Sequence, residues 1–153
     1  MIYLSLTERL KNQHETISEI ISGLDEKKLN RHPEPGKWSI HDNIAHLAKY
    51  QPVFINRINK ILTDEGPVFE RYNADNDPDF KLWQAWPLTE LLSRMGSDRE
   101  TLFQLITGLP DEKLLRKGMH LKYGNLTIIN WAEFFLLHEA HHVYTIFQLA
   151  HGV

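Results

Sequence analysis

The sequence contains no cysteine. This absence excludes disulfide bonds, thiolate nucleophiles and zinc or iron–sulfur sites built on cysteine. No apolar run approaches the ~20 residues that a membrane-spanning helix requires, and the first residues meet charge too early for a secretory signal. Basic tracts are also missing, because 17 Lys and Arg are outnumbered by 20 Asp and Glu, for a net charge of −3. This charge balance disfavours nucleic-acid binding, and we expect a soluble, cytoplasmic protein.

Helical periodicity dominates what is present. Hydrophobic residues make up 42% of the 153 residues, enough for one folded domain over residues 1–153. Four segments repeat apolar residues at steps of three and four, and we find no alternating strand of useful length. They cover approximately residues 3–24, 39–61, 87–109 and 127–150. Long connections at residues 65–86 and 110–126 separate them, so we predict an all-α four-helix bundle.

A weak internal repeat pairs the second helix with the fourth. Gly23-Leu24-Asp25-Glu26 precedes the second helix, and Gly108-Leu109-Pro110-Asp111-Glu112 precedes the fourth. The repeat predicts two helix pairs related by pseudo-symmetry. The fourth helix is also apolar on two sides, with Leu136, Val143 and Phe147 opposite its main stripe. Either a subunit interface or the long connections would cover that second side.

The chemistry centres on the segment His138-Glu139-Ala140-His141-His142. His138 and His142 are four residues apart, a spacing that brings two imidazoles to one metal ion. A chain with nine histidines contains about half of one such pair by chance. The spacing alone therefore does not indicate a metal site, and the position of the pair on the helix must be considered. Both residues lie on the apolar stripe with Trp131 and Phe135, where an unsatisfied nitrogen costs about 1–3 kcal/mol. We therefore predict a shared metal ion, the alternative being two histidines hydrogen-bonded within the core.

Two histidines need a third ligand. His46 is the best candidate, because the repeat sets its helix beside the fourth. Asp42, one turn earlier, either orients the His46 ring or caps the helix, and we favour the cap. His14 either adds to the site or, as we favour, fills a layer of the bundle. Trp83 and Trp86, in the long connection, are candidate walls of a pocket.

The same segment also reads as H-E-x-x-H, the zinc metalloprotease pattern in which Glu139 is the general base. We disfavour this reading. Only 11 residues follow His142, and no strand is predicted to hold a peptide substrate. Glu139 lies about 100° from His138 around the helix, so a solvent-facing or capping carboxylate is the simpler interpretation. His141 lies at the edge of the histidine face.

Trp38-Ser39-Ile40, Ile44-Ala45-His46-Leu47 and the late His138-x-x-x-His142 pattern together resemble the DinB/YfiT-like superfamily, as does the lead-in Pro35-Gly36-Lys37. The resemblance covers nearly the whole chain. It implies an up-down-down-up four-helix bundle with a long crossover connection. It also implies a divalent metal, zinc or nickel, held by His46, His138 and His142 with water completing the shell. Homodimers are common in the family.

The resemblance implies a metal-dependent hydrolase or a transferase of low-molecular-weight thiols such as bacillithiol, mycothiol or glutathione. In either case we expect a small-molecule substrate. Glu139, His141 and Tyr50 are the candidates for catalytic proton transfer. Two alternatives remain: a non-catalytic metal-binding stress-response module, and a purely structural bundle whose histidines pair with protein groups.

Overall fold

The computed structural model describes residues 1–153 and consists mainly of helices. The helices are α1 (Leu4–Asn12), α2 (Thr16–Ile20), α3 (Glu26–Leu29), α4 (Ile40–Thr63), α5 (Phe80–Gln84), α6 (Leu88–Thr107), α7 (Asp111–Leu114) and α8 (Ile128–His151). The strands are β1 (Val68–Phe69), β2 (Lys117–His120) and β3 (Gly124–Thr127), and two 3-10 turns lie at Gln13–Glu15 and Ala74–Asn76. The predicted four helices correspond to α1 with α2, α4, α6 and α8. No helix is both long enough and apolar enough to cross a membrane.

Capping residues set where the two longest helices begin. Ser39 precedes α4 and forms a reciprocal capping box with Asp42, and Thr127 does the same with Asn130 before α8. These boxes satisfy backbone groups that the first helical turn leaves free. α4 then continues as one helix through Pro52. The cap predicted for Asp42 is confirmed.

The core consists of two apolar clusters, one toward each end of the bundle. One cluster includes Leu10, Phe54, Leu102 and Phe135. The other includes Ile17, Leu47, Met95 and Ile146. Each of the four long helical segments contributes to both clusters, which is the packing that the predicted stripes require.

The three-stranded sheet was not predicted. β2 pairs with β3 in antiparallel orientation and with β1 in parallel orientation. The hairpin of β2 and β3 escaped prediction because each strand is at most four residues long. Too few residues alternate there to give a period-two signal. Gly118 lets β2 lie against α4, since a Cβ atom there would lie 2.8 Å from Ile61.

The second apolar side of α8 is covered only in part. Leu136 is fully buried, whereas Phe147 is 40% exposed and Leu137 and Tyr144 more so. Contacts within the chain therefore cover Leu136 fully and Val143 in part, and they leave Phe147 partly exposed. The expected homodimer stays a prediction.

Candidate metal centre

Three histidines from two helices meet at one point. His46 projects from α4, and His138 and His142 project from α8. One ring nitrogen from each lies within 4.8 Å of the others, and the Nε2 atoms of His46 and His138 are 3.1 Å apart. The predicted i, i+4 pair and its predicted third member are thus brought together. His46 is 4% exposed, so the meeting point is largely shielded from solvent.

Asn43 orients the His142 ring. The Oδ1 atom of Asn43 lies 2.9 Å from His142 Nδ1, and its Nδ2 group donates to the Ser39 carbonyl at 2.8 Å. Because an amide oxygen only accepts, His142 Nδ1 must carry the proton. The lone pair of His142 is therefore on Nε2, the tautomer that a metal ligand needs.

All three imidazoles are held in their neutral form. Burial, with smaller contributions from the neighbouring His142 and His138, lowers the pKa of His46 to about 2. Burial likewise lowers the pKa of His142 to about 3 and that of His138 to about 4. A divalent ion binds the deprotonated nitrogen, so protons compete little for this cluster at neutral pH. The Nδ1 atoms of His46 and His138 are buried without a hydrogen-bond partner.

A cavity of about 470 Å³ opens beside the cluster. Its aromatic walls are Trp38, Tyr50, Tyr72 and Phe134. The ring centroids of Trp38 and His46 are 5.0 Å apart, and those of Tyr50 and His138 are 4.7 Å apart. The volume is in the range that proteins use for small-molecule sites. Trp83 and Trp86 stack on each other with centroids 4.5 Å apart and do not line this cavity.

Two of the three predicted catalytic residues line the cavity. Tyr50 is buried, and its hydroxyl accepts a hydrogen bond from Arg57 Nη1 at 3.3 Å. Burial raises the pKa of this phenol, although the positive charge of Arg57 opposes the shift. His141 is exposed at the lip of the cavity, with its ring centroid 5.2 Å from that of His142. Their catalytic roles stay predictions.

Glu139 lies elsewhere. It is 1% exposed and forms an ion pair with Arg99 in the core, and Gln13 donates to its second oxygen at 3.0 Å. Our expectation of a solvent-facing or capping carboxylate was wrong, because this side of α8 packs on α1 and α2 rather than on water. Glu139 does not line the cavity, so the protease interpretation lacks its general base. His14 also lies at this ion pair, 3.4 Å from Arg99, and not at the histidine cluster.

Sequence reasoning missed three further basic residues of the cavity. These residues line the cavity: Arg57 from α4, Arg71 from the segment after β1, and His120 from β2. Arg57 had a local signal, since it lies 11 residues after His46 and so nearly on the same face of the helix. The other two had none, because they reach the cavity only through the unpredicted sheet.

Comparisons with known proteins bear on the family and the fold. A family model described as the DinB superfamily matches residues 9–146. The chain is 23% identical over 130 residues to a curated protein of Oceanobacillus iheyensis named "Putative metal-dependent hydrolase", covering 83% of this chain and 73% of that protein. Its fold is similar to that of YfiT from Bacillus subtilis, described as "a probable metal-dependent hydrolase with an unusual four-helix bundle topology". That likeness has a TM-score of 0.81 at 18% identity and covers 96% of this chain and 85% of the other. The predicted bundle fold is confirmed.

Proposed function

The chain belongs to the DinB superfamily, and from this premise we propose that it is a metal-dependent enzyme that acts on a small molecule. His46, His138 and His142 would hold the divalent ion, zinc or nickel, both of which accept imidazole ligands. The observation that carries the proposal is the hydrogen bond from His142 Nδ1 to Asn43. It leaves the Nε2 lone pair of His142 beside two other neutral imidazoles, an arrangement that suits a cation.

The protein's own residues fit this chemistry. The three cluster histidines are neutral ligands that would leave the charge of a divalent ion uncompensated, and such an ion would supply Lewis-acid chemistry for water or a thiol. Trp38, Tyr72 and Phe134 restrict water around the cluster. Tyr50 accepts a hydrogen bond from Arg57, which leaves the phenolic proton free to be donated toward a substrate in the cavity. His141, at the lip, is placed to exchange protons with solvent.

Hydrolysis is the first candidate reaction, because the curated relative is named as a hydrolase. Transfer of a low-molecular-weight thiol is the second. The chain has no cysteine, so the thiolate would come from a cosubstrate, and the guanidinium of Arg57 faces the cavity without a carboxylate partner to neutralise it. Because a cavity for a small molecule adjoins the histidine cluster, a hydrolase or a thiol transferase is favoured over a metal-binding module that has no substrate.

Metal content tests the proposal. We expect one zinc or nickel ion per purified chain by elemental analysis, and we expect His142→Ala to weaken metal affinity by at least about 100-fold, since it removes one of three protein ligands. His141→Ala is the matched control, because it removes the adjacent imidazole, which lies outside the cluster, and it should leave the affinity unchanged. Equal affinity in wild type and His142→Ala would contradict the proposed ligand set.

The reaction is tested separately. Ester and amide substrates report hydrolysis, and a thiol with an electrophile reports transfer, each with and without EDTA. Turnover that EDTA abolishes and added metal restores supports an enzyme. Stoichiometric metal without turnover in either assay would favour the non-catalytic module.

A further inference from the structure

Two arginines face the cavity beside the histidine cluster. Arg57 projects from α4 and is 8% exposed. Arg71 follows β1, is exposed, and makes no hydrogen bond through its side chain, so it can swing into the cavity mouth. The two residues thus place one fixed and one free guanidinium at the same site.

The charge of Arg57 is not neutralised by the protein. Its Nη1 group donates to the Tyr50 hydroxyl at 3.3 Å and its Nη2 group to the Glu70 carbonyl at 2.8 Å, and both acceptors are neutral. No carboxylate lies within salt-bridge distance of Arg57 or Arg71. A buried cation without an anionic partner is costly. Aromatic faces relieve part of that cost, since the Arg57 guanidinium lies 5.6 Å from the Trp131 ring centroid.

Arg99 provides the internal comparison. It is buried still more completely, at 1% exposure, and there the fold supplies a carboxylate, Glu139. At the cavity, Asp75 is the single carboxylate among the lining residues, and it is exposed at the rim. The fold therefore neutralises the arginine that faces the core and leaves positive the two that face the cavity.

The positive potential of these arginines extends to the histidine cluster. Both arginines line the same cavity as the three cluster histidines, and neither forms a salt bridge that would neutralise its charge. An ion bound by three neutral imidazoles would add two further charges. A neutral or cationic substrate would leave this excess uncompensated, whereas an anionic substrate would neutralise it.

We infer that Arg57 and Arg71 form an anion subsite, so that the substrate is a small molecule with a carboxylate or phosphate group at the arginines and its reacting group at the histidine cluster. The planar guanidinium suits either anion, because it donates two parallel hydrogen bonds. This inference rests on the proposed function for the placement of the reacting group. The anion subsite itself requires only the arginines.

The test with metal uses two thiols that have the same carbon skeleton, one with an anionic carboxylate and one with a neutral amide. The Co²⁺-loaded protein is titrated with 3-mercaptopropionate and with 3-mercaptopropionamide, and binding is followed by the thiolate-to-cobalt absorption band. We expect the carboxylate to bind at least about tenfold more tightly. Arg71→Gln, an exposed substitution, should reduce this preference severalfold, and Arg57→Lys should reduce it as well. Lys122→Gln removes a nearby positive charge that does not line the cavity and should preserve the preference. Equal affinity for the two thiols in wild type would overturn the inference.

A second measurement separates this inference from the metal proposal. If the protein binds no Co²⁺, the proposed function fails and the metal-free chain decides the anion subsite. The metal-free protein is titrated with inorganic phosphate while the Nε–Hε resonances of its arginines are recorded by NMR. Saturable shifts of the Arg57 and Arg71 resonances in the wild-type protein support the subsite. In the Arg71→Gln variant, the shift of the Arg57 resonance should be lost. Shifts that do not saturate overturn the anion subsite.

Discussion

Asn43 decides which nitrogen of His142 faces the cavity. Its side-chain amide is held by the Ser39 carbonyl, which belongs to the cap of α4. Helix capping and ligand orientation are therefore linked through one side chain. The side chains that orient metal-binding histidines typically account for 10- to 100-fold in affinity.

We predict that Asn43→Leu weakens zinc or nickel binding by about 10- to 100-fold. Leucine has a similar size but cannot accept the Nδ1 proton of His142, so the ring loses its fixed tautomer. Isothermal titration with the metal measures the loss. Asn59→Leu, on an exposed position of the same helix, is the control. An Asn43→Leu protein with wild-type affinity would show that the hydrogen bond plays no part in binding.

The buried histidines make the stability of the metal-free protein depend on pH. Burial and the charge of Arg99 lower the pKa of His14 to about 4, and the cluster histidines have pKa values of about 2 to 4 against an ordinary 6.5. At a pH between the lowered pKa values of the folded protein and the ordinary pKa, these histidines bind protons in the unfolded chain but not in the folded protein. Stability is therefore complete above pH 6.5 and is lost as the pH falls toward the folded values.

We predict that the free energy of unfolding of the metal-free protein falls by at least about 1.4 kcal/mol per pH unit between pH 6 and pH 4.5, the slope from a single such histidine. Urea titrations at several pH values measure it. His14→Gln should make the slope shallower, and His151→Gln, at an exposed position, should not. A stability independent of pH across this range would show that these side chains protonate in the folded protein.

At the scale of elements, the helices and the histidine cluster could be predicted because their signals are local. Ser39 and Thr127 mark helix starts within three residues of their partners, and the i, i+4 pair lies within one turn. The internal repeat added the one long-range relation that was needed, between α4 and α8. Arg71 and His120 escaped prediction because only the pairing of β1 with β2, about 50 residues apart, brings them to the cavity.

A polar layer separates the two apolar clusters and connects the helices. The Arg99 and Glu139 ion pair joins α6 to α8, Arg99 Nε donates to Gln51 of α4 at 3.2 Å, and Gln13 reaches Glu139 from between α1 and α2. Buried polar groups of this kind lower stability when one partner is removed. They also restrict how the helices can slide past one another.

We predict that Glu139→Ala lowers the free energy of unfolding by about 3–5 kcal/mol, because it leaves the Arg99 cation buried without a partner. The double variant Arg99→Met/Glu139→Leu should regain most of this loss, since neither charge remains. Urea denaturation measures both. Asp98→Ala, which breaks the exposed pair with Arg94, should cost less than about 1 kcal/mol. If Glu139→Ala and Asp98→Ala lowered the free energy of unfolding by similar amounts, the ion pair between Arg99 and Glu139 would have to be solvated.

On the scale of the whole molecule, the histidine cluster joins segments 92 residues apart in the chain. It lies between α4 and α8, which both contribute to the two apolar clusters. An ion bound there would cross-link the two halves of the sequence in the folded state. The unfolded chain offers no such convergence, so binding adds directly to folding stability.

We therefore predict that EDTA lowers the melting temperature of the metal-loaded protein. Metal at about 100 times its dissociation constant contributes about 2.7 kcal/mol, which for a domain of this size corresponds to a shift of roughly 5–10 °C. The shift is measured by differential scanning calorimetry with and without EDTA, and it should reverse when metal is restored. His142→Ala should show no shift, whereas His141→Ala should behave as wild type. A shift that persists in His142→Ala would place the stabilising ion elsewhere in the molecule, because that variant lacks the imidazole that Asn43 holds in place.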